Sequence, residues 1–204
     1  MRPTAFSGAA RGLLRQSVTY ALASADLVTP VLLTAPTPCA GWSLGMLLSH
    51  VSESLEALAD GLTLGTVTLA AAASAGLDEL DPEPAGMRAR CARLLAAIED
   101  APADSMIAIA GQVLPDSLLA CAGAIEMTVH GWDIAAACGA PRAIPASLAS
   151  TLLDMTPVLL PDGARDGLFA APLPVPLLAS PGEHLLAFLG RVSTRRGGDE
   201  SVRR

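Results

Sequence analysis

Leu14, Val18, Ala21, Ala25, Val28 and Leu32 step along the chain by four, three, four, three and four residues. That spacing keeps all six on one side of an α-helix and on both sides of a strand, so it admits only a helix. The same rhythm returns three times: at Leu44, Leu47, Val51, Leu55, Leu58 and Leu62, at Met87, Cys91, Leu94 and Ile98, and at Leu118, Ala122, Ile125, Val129, Trp132 and Ala136. Four amphipathic helices must bury four stripes against one another. The palette agrees, with 51% apolar residues but only 3% aromatic ones. Alanine and leucine do most of the filling, as packed helices allow and sheets rarely do.

The spacing predicts helices over about 10–33, from Ser43 through 62, over 85–98 and over 116–138. Ser43 is a good N-cap, with Trp42 before it placed to staple onto Leu47. Asp116 or Ser117 can cap the fourth helix, and Gly139 can stop it. A fifth helix is expected over 145–159. A proline-rich passage, FAAPLPVPLLASPG, leads to a last short helix, EHLLAFLGR. Residues 61–84 read as a looser connection with room for a short helix. Residues 101–115 read as a connection with an extended piece at MIAIAG. The expected fold class is all-α, a four-helix bundle with short C-terminal helical additions. One domain over 1–191 is followed by a tail over 192–204, expected to be disordered.

Charge excludes several partners. The net charge is −7, and the one basic run, RVSTRRGGDESVRR, reads as a solvated tail. Neither nucleic acid nor an anionic membrane surface suits such a chain. The longest uncharged stretch, residues 27–49, holds three prolines and is a poor membrane span. The four cysteines show no regular spacing and no secretion signal precedes them, so they read as reduced thiols in a cytoplasmic protein. A small-molecule substrate is the expected partner, and a homodimer is an option the sequence leaves open.

EMTVHGWD, at 126–133, breaks the apolar pattern. Glu126 and His130 are one helical turn apart and point at a common spot. Of the chain's three histidines (His50, His130, His184), only His50 on the second helix is placed to join them. Two imidazoles and a carboxylate are a familiar donor set for a divalent metal, and three protein ligands leave a position for water or substrate. An E-x-x-x-H pair alone is common by chance, and a buried Glu–His hydrogen bond reads the same way. Burial argues for the metal, because an ionised Glu126 inside a bundle needs a cation.

Asp133 follows His130 by three residues and reads as an acceptor orienting a ligand, an acid/base group, or a structural hydrogen-bond partner. Glu53, one turn after His50, is a candidate general base or a surface carboxylate. Cys39 reads as a buried structural cysteine or a nucleophile, Arg142 as a substrate-carboxylate partner or an exposed arginine, and His184 as a surface histidine.

Two segments together resemble a known family. TPCAGWSLGMLLSHV is similar to its T-P-C-x-x-W-x-x-x-x-L-x-x-H pattern, and EMTVHGWDIAAACG to its V-H-G-W-D-x-A-x-A-x-G signature with an acidic residue ahead. The family is the DinB-like, mycothiol-dependent maleylpyruvate isomerase N-terminal-domain proteins. The C-terminal FAAPLPVPLLASPGEHLLAFLGR resembles the ending of a short actinobacterial branch named for metal binding. The resemblance implies a bundle with a divalent metal held by His50, Glu126 and His130. It also implies zinc first (Ni2+ or Fe2+ as alternatives), and mycothiol as co-substrate. The expected function is a metal-dependent enzyme whose ion activates a thiol, water or a substrate carbonyl for isomerisation, S-transfer or a tailoring step. A non-catalytic metal or small-ligand binding protein is the alternative, and a subunit docking through the proline-rich segment is a third. The isomerase carries a further C-terminal domain that this length does not accommodate.

Overall fold

The computed structural model describes residues 3–68, 84–160 and 169–192. The expected tail beyond 192 and most of the 61–84 connection lie outside these residues. In chain order the elements are α1 (Pro3–Ala25), a 3-10 turn (Pro30–Leu32), α2 (Leu44–Leu64), β1 (Thr66–Val67), α3 (Pro84–Asp100), β2 (Met106–Ile109), β3 (Gln112–Pro115), α4 (Asp116–Ala137), α5 (Ala146–Leu159) and α6 (Pro181–Phe188). The described chain is mostly helical. Helix α4 packs on α1, α2 and α5, α3 packs on α1 and α2, and α6 lies on α5.

Two departures from the expected outline have local causes. Helix α1 ends at Ala25 rather than Leu33, because Pro30 has no N–H to give the preceding turn and holds Thr29 extended (φ −124°, ψ 154°). A small three-stranded sheet also forms where only one extended piece was expected. β2 pairs antiparallel with β3, with Ile107 opposite Leu114, and β1 adds in parallel at Thr66 and Val67. Gly65 makes the join possible: at φ +69° it closes α2 in the left-handed region and turns the chain into β1.

Helix α2 starts as read. Ser43 Oγ accepts from the Met46 N–H at 3.3 Å. The loop ahead of it is tied by Thr37, whose hydroxyl accepts from the Cys39 N–H at 3.1 Å and donates to the Trp42 carbonyl at 3.0 Å. This tie holds Cys39 and Trp42 in front of the first turn of α2.

Helix α4 is the centre of the molecule. From Met127 to Ala135 every residue is buried, so this half has no outward face. The first half does: Leu118 and Leu119 are half-buried, Ala122 is exposed, and Glu126 ends that strip. Leu118 and Ala122 therefore do not belong to a buried stripe as the periodicity suggested. The core crosses at Gly131, where an added Cβ would come within 2.9 Å of Ala21 Cα, so α1 and α4 touch almost backbone to backbone.

Asp116 is not the cap of α4; Pro115 holds that position. Asp116 is instead buried and accepts from Ser7 Oγ at 2.9 Å and from Arg11 Nε at 2.9 Å, bolting α1 to α4. Arg142 is likewise structural: its guanidinium reaches the Tyr20 carbonyl and Ser24 Oγ and lies over the Tyr20 ring. No helix among the described residues is long and apolar enough to cross a membrane. All four cysteines are free.

Candidate metal centre

Helices α2 and α4 bring His50, Glu126 and His130 together at the point where the exposed strip of α4 gives way to its buried half. His50 Nε2 lies 2.6 Å from Glu126 Oε1, and His130 Nε2 lies 3.4 Å from the same oxygen. One ligand atom from each of the three falls within 4.8 Å of the others. Two rings steady His50: Trp42 stands edge-on to it with centroids 5.0 Å apart, and His130 does so at 5.2 Å. Trp42 thus braces a candidate ligand, a role its reading as a staple did not include. Ser54, one turn after His50, adds a hydroxyl to Glu126 Oε1 at 3.3 Å.

The three carboxylates of α4 differ in their cations. Asp116 has Arg11 and Asp133 has Arg191, but Glu126 faces no arginine among the described residues, only His50, His130 and Ser54. Burial works to raise its carboxyl, yet hydrogen bonds from His130 and His50 hold it well below the usual carboxylate range. A carboxylate shared by two imidazoles, with no arginine on it among the described residues, is a donor set that suits a divalent cation. The set is also reachable. The side chains of His50 and Glu126 stay 35% and 25% exposed, against 8% for His130.

Behind His130 lies a second group. Its Nδ1 is 3.0 Å from Asp133 Oδ2 and 3.8 Å from Cys39 Sγ, and the Cys39 thiol donates to Asp133 Oδ2 at 3.2 Å. Arg191 closes the group. It donates from Nε to Asp133 Oδ1 at 3.2 Å, from Nη2 to Oδ2 at 3.1 Å, and from Nη2 to Cys39 Sγ at 3.2 Å. Asp133 is fully enclosed, and only 8% of the Arg191 side chain is exposed. Burial pushes Asp133 up, but His130 and Arg191 bring it below the ordinary aspartate value. Burial pushes His130 down, but its hydrogen bonds to Asp133, Cys39 and Glu126 carry it well above the ordinary histidine value.

Arg191 is the residue the sequence reading missed, since it was grouped with the solvated basic tail. The available signal was Asp133 itself, an acid inside an otherwise apolar helix segment that calls for a buried cation. The arginine arrives because Gly190, at φ +74°, turns the chain back after α6, and its Nη1 is fixed on the Leu189 carbonyl at 3.1 Å. A cavity of about 770 Å³ opens beside this group, lined by Pro38, Trp132, Gly139 and Arg191 among others. Glu53 is exposed on α2 and is not brought into either group. His184 is half-buried on α6 and belongs to neither group.

Residues 14–135 match the model of the mycothiol maleylpyruvate isomerase N-terminal domain. No curated protein and no solved structure matches the chain. The match covers the first motif, the second as far as Ala135, and so His50, Glu126 and His130. The chain belongs to the mycothiol maleylpyruvate isomerase N-terminal domain family.

Proposed function

We propose that this protein binds a divalent metal, zinc foremost, through His50, Glu126 and His130, and uses it to act on a small molecule. The observation that carries the reading is Glu126, whose Oε1 is shared by His50 at 2.6 Å and His130 at 3.4 Å and which lacks an arginine among the described residues. We read α1 to α4 as the family's four-helix bundle, with the donors at one end of it.

When bound, the ion supplies Lewis acidity that makes a coordinated thiol or water anionic near neutral pH and polarises a carbonyl. The chain's own residues do the rest. Glu126 supplies the negative ligand. Asp133 holds the Nδ1 side of His130, which orients the ring and leaves Nε2 facing Glu126. Trp42 keeps the His50 ring upright. Asp133 is therefore a positioning residue in this reading, because it is sealed from any substrate. Glu53, exposed one turn beyond His50 on α2 and outside the donor group, is the carboxylate we would assign as a general base. The family supports a mycothiol-like thiol as co-substrate and isomerisation or S-transfer as the reaction.

Metal analysis of the purified protein beside His130→Ala and Glu126→Gln tests the site. Wild type carries zinc, and both variants lose it; equal metal in all three removes the assignment. Thiol consumption with mycothiol and a panel of conjugated electrophiles tests the chemistry. Metal binding with no turnover of any thiol, water or carbonyl substrate points to the non-catalytic binding protein.

A further inference from the structure

His130 belongs to two donor triads at once. Nε2 serves His50 and Glu126; Nδ1 serves Cys39 and Asp133. In the second triad the donor separations are 3.0, 3.2 and 3.8 Å. Tetrahedral zinc, with bonds of about 2.0 to 2.3 Å, needs donors about 3.3 to 3.8 Å apart, so the second triad has nearly the right span. Its sulfur makes it the more attractive of the two for a thiophilic ion. A cation already stands there, however. The Arg191 guanidinium takes lone pairs of Asp133 and Cys39 from within 3.2 Å, and it is fixed from behind by Leu189 and lies over Phe169.

We propose that Arg191 is the resident cation of the Cys39–His130–Asp133 triad, and that it directs metal to the other side of His130. Without Arg191, the triad becomes a thiolate metal site. Only in naming the favoured side does this rest on the metal reading above. The two sites are mutually exclusive because a neutral imidazole carries one proton. With Nδ1–H donating to Asp133, Nε2 is free to ligate. With an ion on Nδ1, the proton sits on Nε2 and faces Glu126. Binding at the second triad forms a sulfur–metal bond and a nitrogen–metal bond, and releases the Cys39 proton to solvent.

Cobalt(II) titration reads the choice directly, since a thiolate ligand adds a sulfur-to-cobalt charge-transfer band. Wild type is expected to take cobalt without that band. Arg191→Gln is expected to show it, saturating at one ion per chain, and Arg191→Gln with Cys39→Ser to lose it again. The band in wild type, or its absence in a folded, cobalt-binding Arg191→Gln, overturns the proposal. Should Arg191→Gln not fold in metal-free buffer, it is refolded with cobalt: refolding with the band supports the proposal, and failure to refold overturns it. A wild type that binds no cobalt beside an Arg191→Gln that shows the band sinks the His50–Glu126–His130 reading while supporting this one. No cobalt in either protein sinks both.

Discussion

On its Nε2 side His130 meets Glu126 and His50, whose side chains are 25% and 35% exposed; on its Nδ1 side it meets Asp133 and Arg191, which are 0% and 8% exposed. Both sides put a carboxylate on the same ring, one helical turn before it and one turn after. On the closed side the charge is cancelled by an arginine that the chain delivers from beyond α6. On the open side no such arginine arrives, and the carboxylate is left to two imidazoles. The difference separates two uses of a buried acid: one fixes the architecture, and the other is kept available for something that is not part of the chain.

The largest effect expected from this contrast is on the closed side. Asp133→Ala strands the Arg191 guanidinium in the interior and should cost about 3 to 5 kcal/mol of stability, measured by urea unfolding of the metal-free protein. Adding Arg191→Met to Asp133→Ala removes the stranded charge and should recover much of that loss. If the double variant is as unstable as the single, Arg191 is not the partner that matters.

Glu126→Gln should do the reverse. The amide keeps an acceptor for His50 and strands no charge, so metal-free stability should change by only about 1 kcal/mol. Zinc affinity should fall by at least about a hundredfold, since loss even of outer partners costs ten- to a hundredfold. A Glu126→Gln protein that unfolds readily but binds zinc normally would erase the distinction between the two sides.

Much of this was legible in the residues, and the reason lies in what each signal depends on. The helices α2 to α5 follow from local periodicity and caps: Ser43 and Gly139 mark ends that need no tertiary information. That His50, Glu126 and His130 come together was legible because two of them share one helix turn and histidines are scarce. The sheet was not, because its strands are two to four residues long; β2 and β3 are a local hairpin, but β1 joins them from far away, Thr66 pairing with Ala108. Arg191 was not, because its partner Asp133 lies 58 residues away on α4, and Arg191 is the first residue of the basic run RVSTRRGGDESVRR that reads as a tail. The rotation of α4 was also out of reach: with alanine at 122 and leucine at 118, apolarity alone cannot tell a buried position from the exposed strip that leads to Glu126.

Gly131, next to His130 in the chain, sets how closely α1 approaches α4. Gly131→Ala places a methyl 2.9 Å from Ala21 Cα, where the backbone must shift, and 3.1 Å from the Tyr20 ring, a tight contact. Helix propensity favours alanine, so any loss comes from the helices being pushed apart, and about 1 to 3 kcal/mol is expected. Zinc affinity should fall as well, but by less than in Glu126→Gln, because every ligand is still present. Unchanged stability would show that the close crossing is not what aligns the two helices.

The smallest effect reads the closed side without disturbing its packing. Tyr20, the chain's one tyrosine, is buried against α4 and donates its hydroxyl to the Arg142 carbonyl at 2.9 Å. Burial pushes its pKa up to about 12, the nearby Arg142 guanidinium works against this, and the Asp133 charge adds to it. The ionised form is thus disfavoured in the folded state. The resulting stability is present below the ordinary value of 10 and is lost as pH rises from there towards about 12. All 13 basic side chains are arginine, so no lysine titrates in this window and the positive charges persist through it. Tyrosinate absorbance should rise with a midpoint near 12 in the folded protein and near 10 in urea. Asp133→Asn removes the third contribution while keeping the side chain's shape, so the folded midpoint should move down, by less than burial moves it up. Glu126→Gln should leave the midpoint in place, because only the Asp133 side of His130 bears on Tyr20. If the two variants shift the tyrosine equally, its titration reports the charge of the whole cluster, and the two sides of His130 are not electrostatically separate.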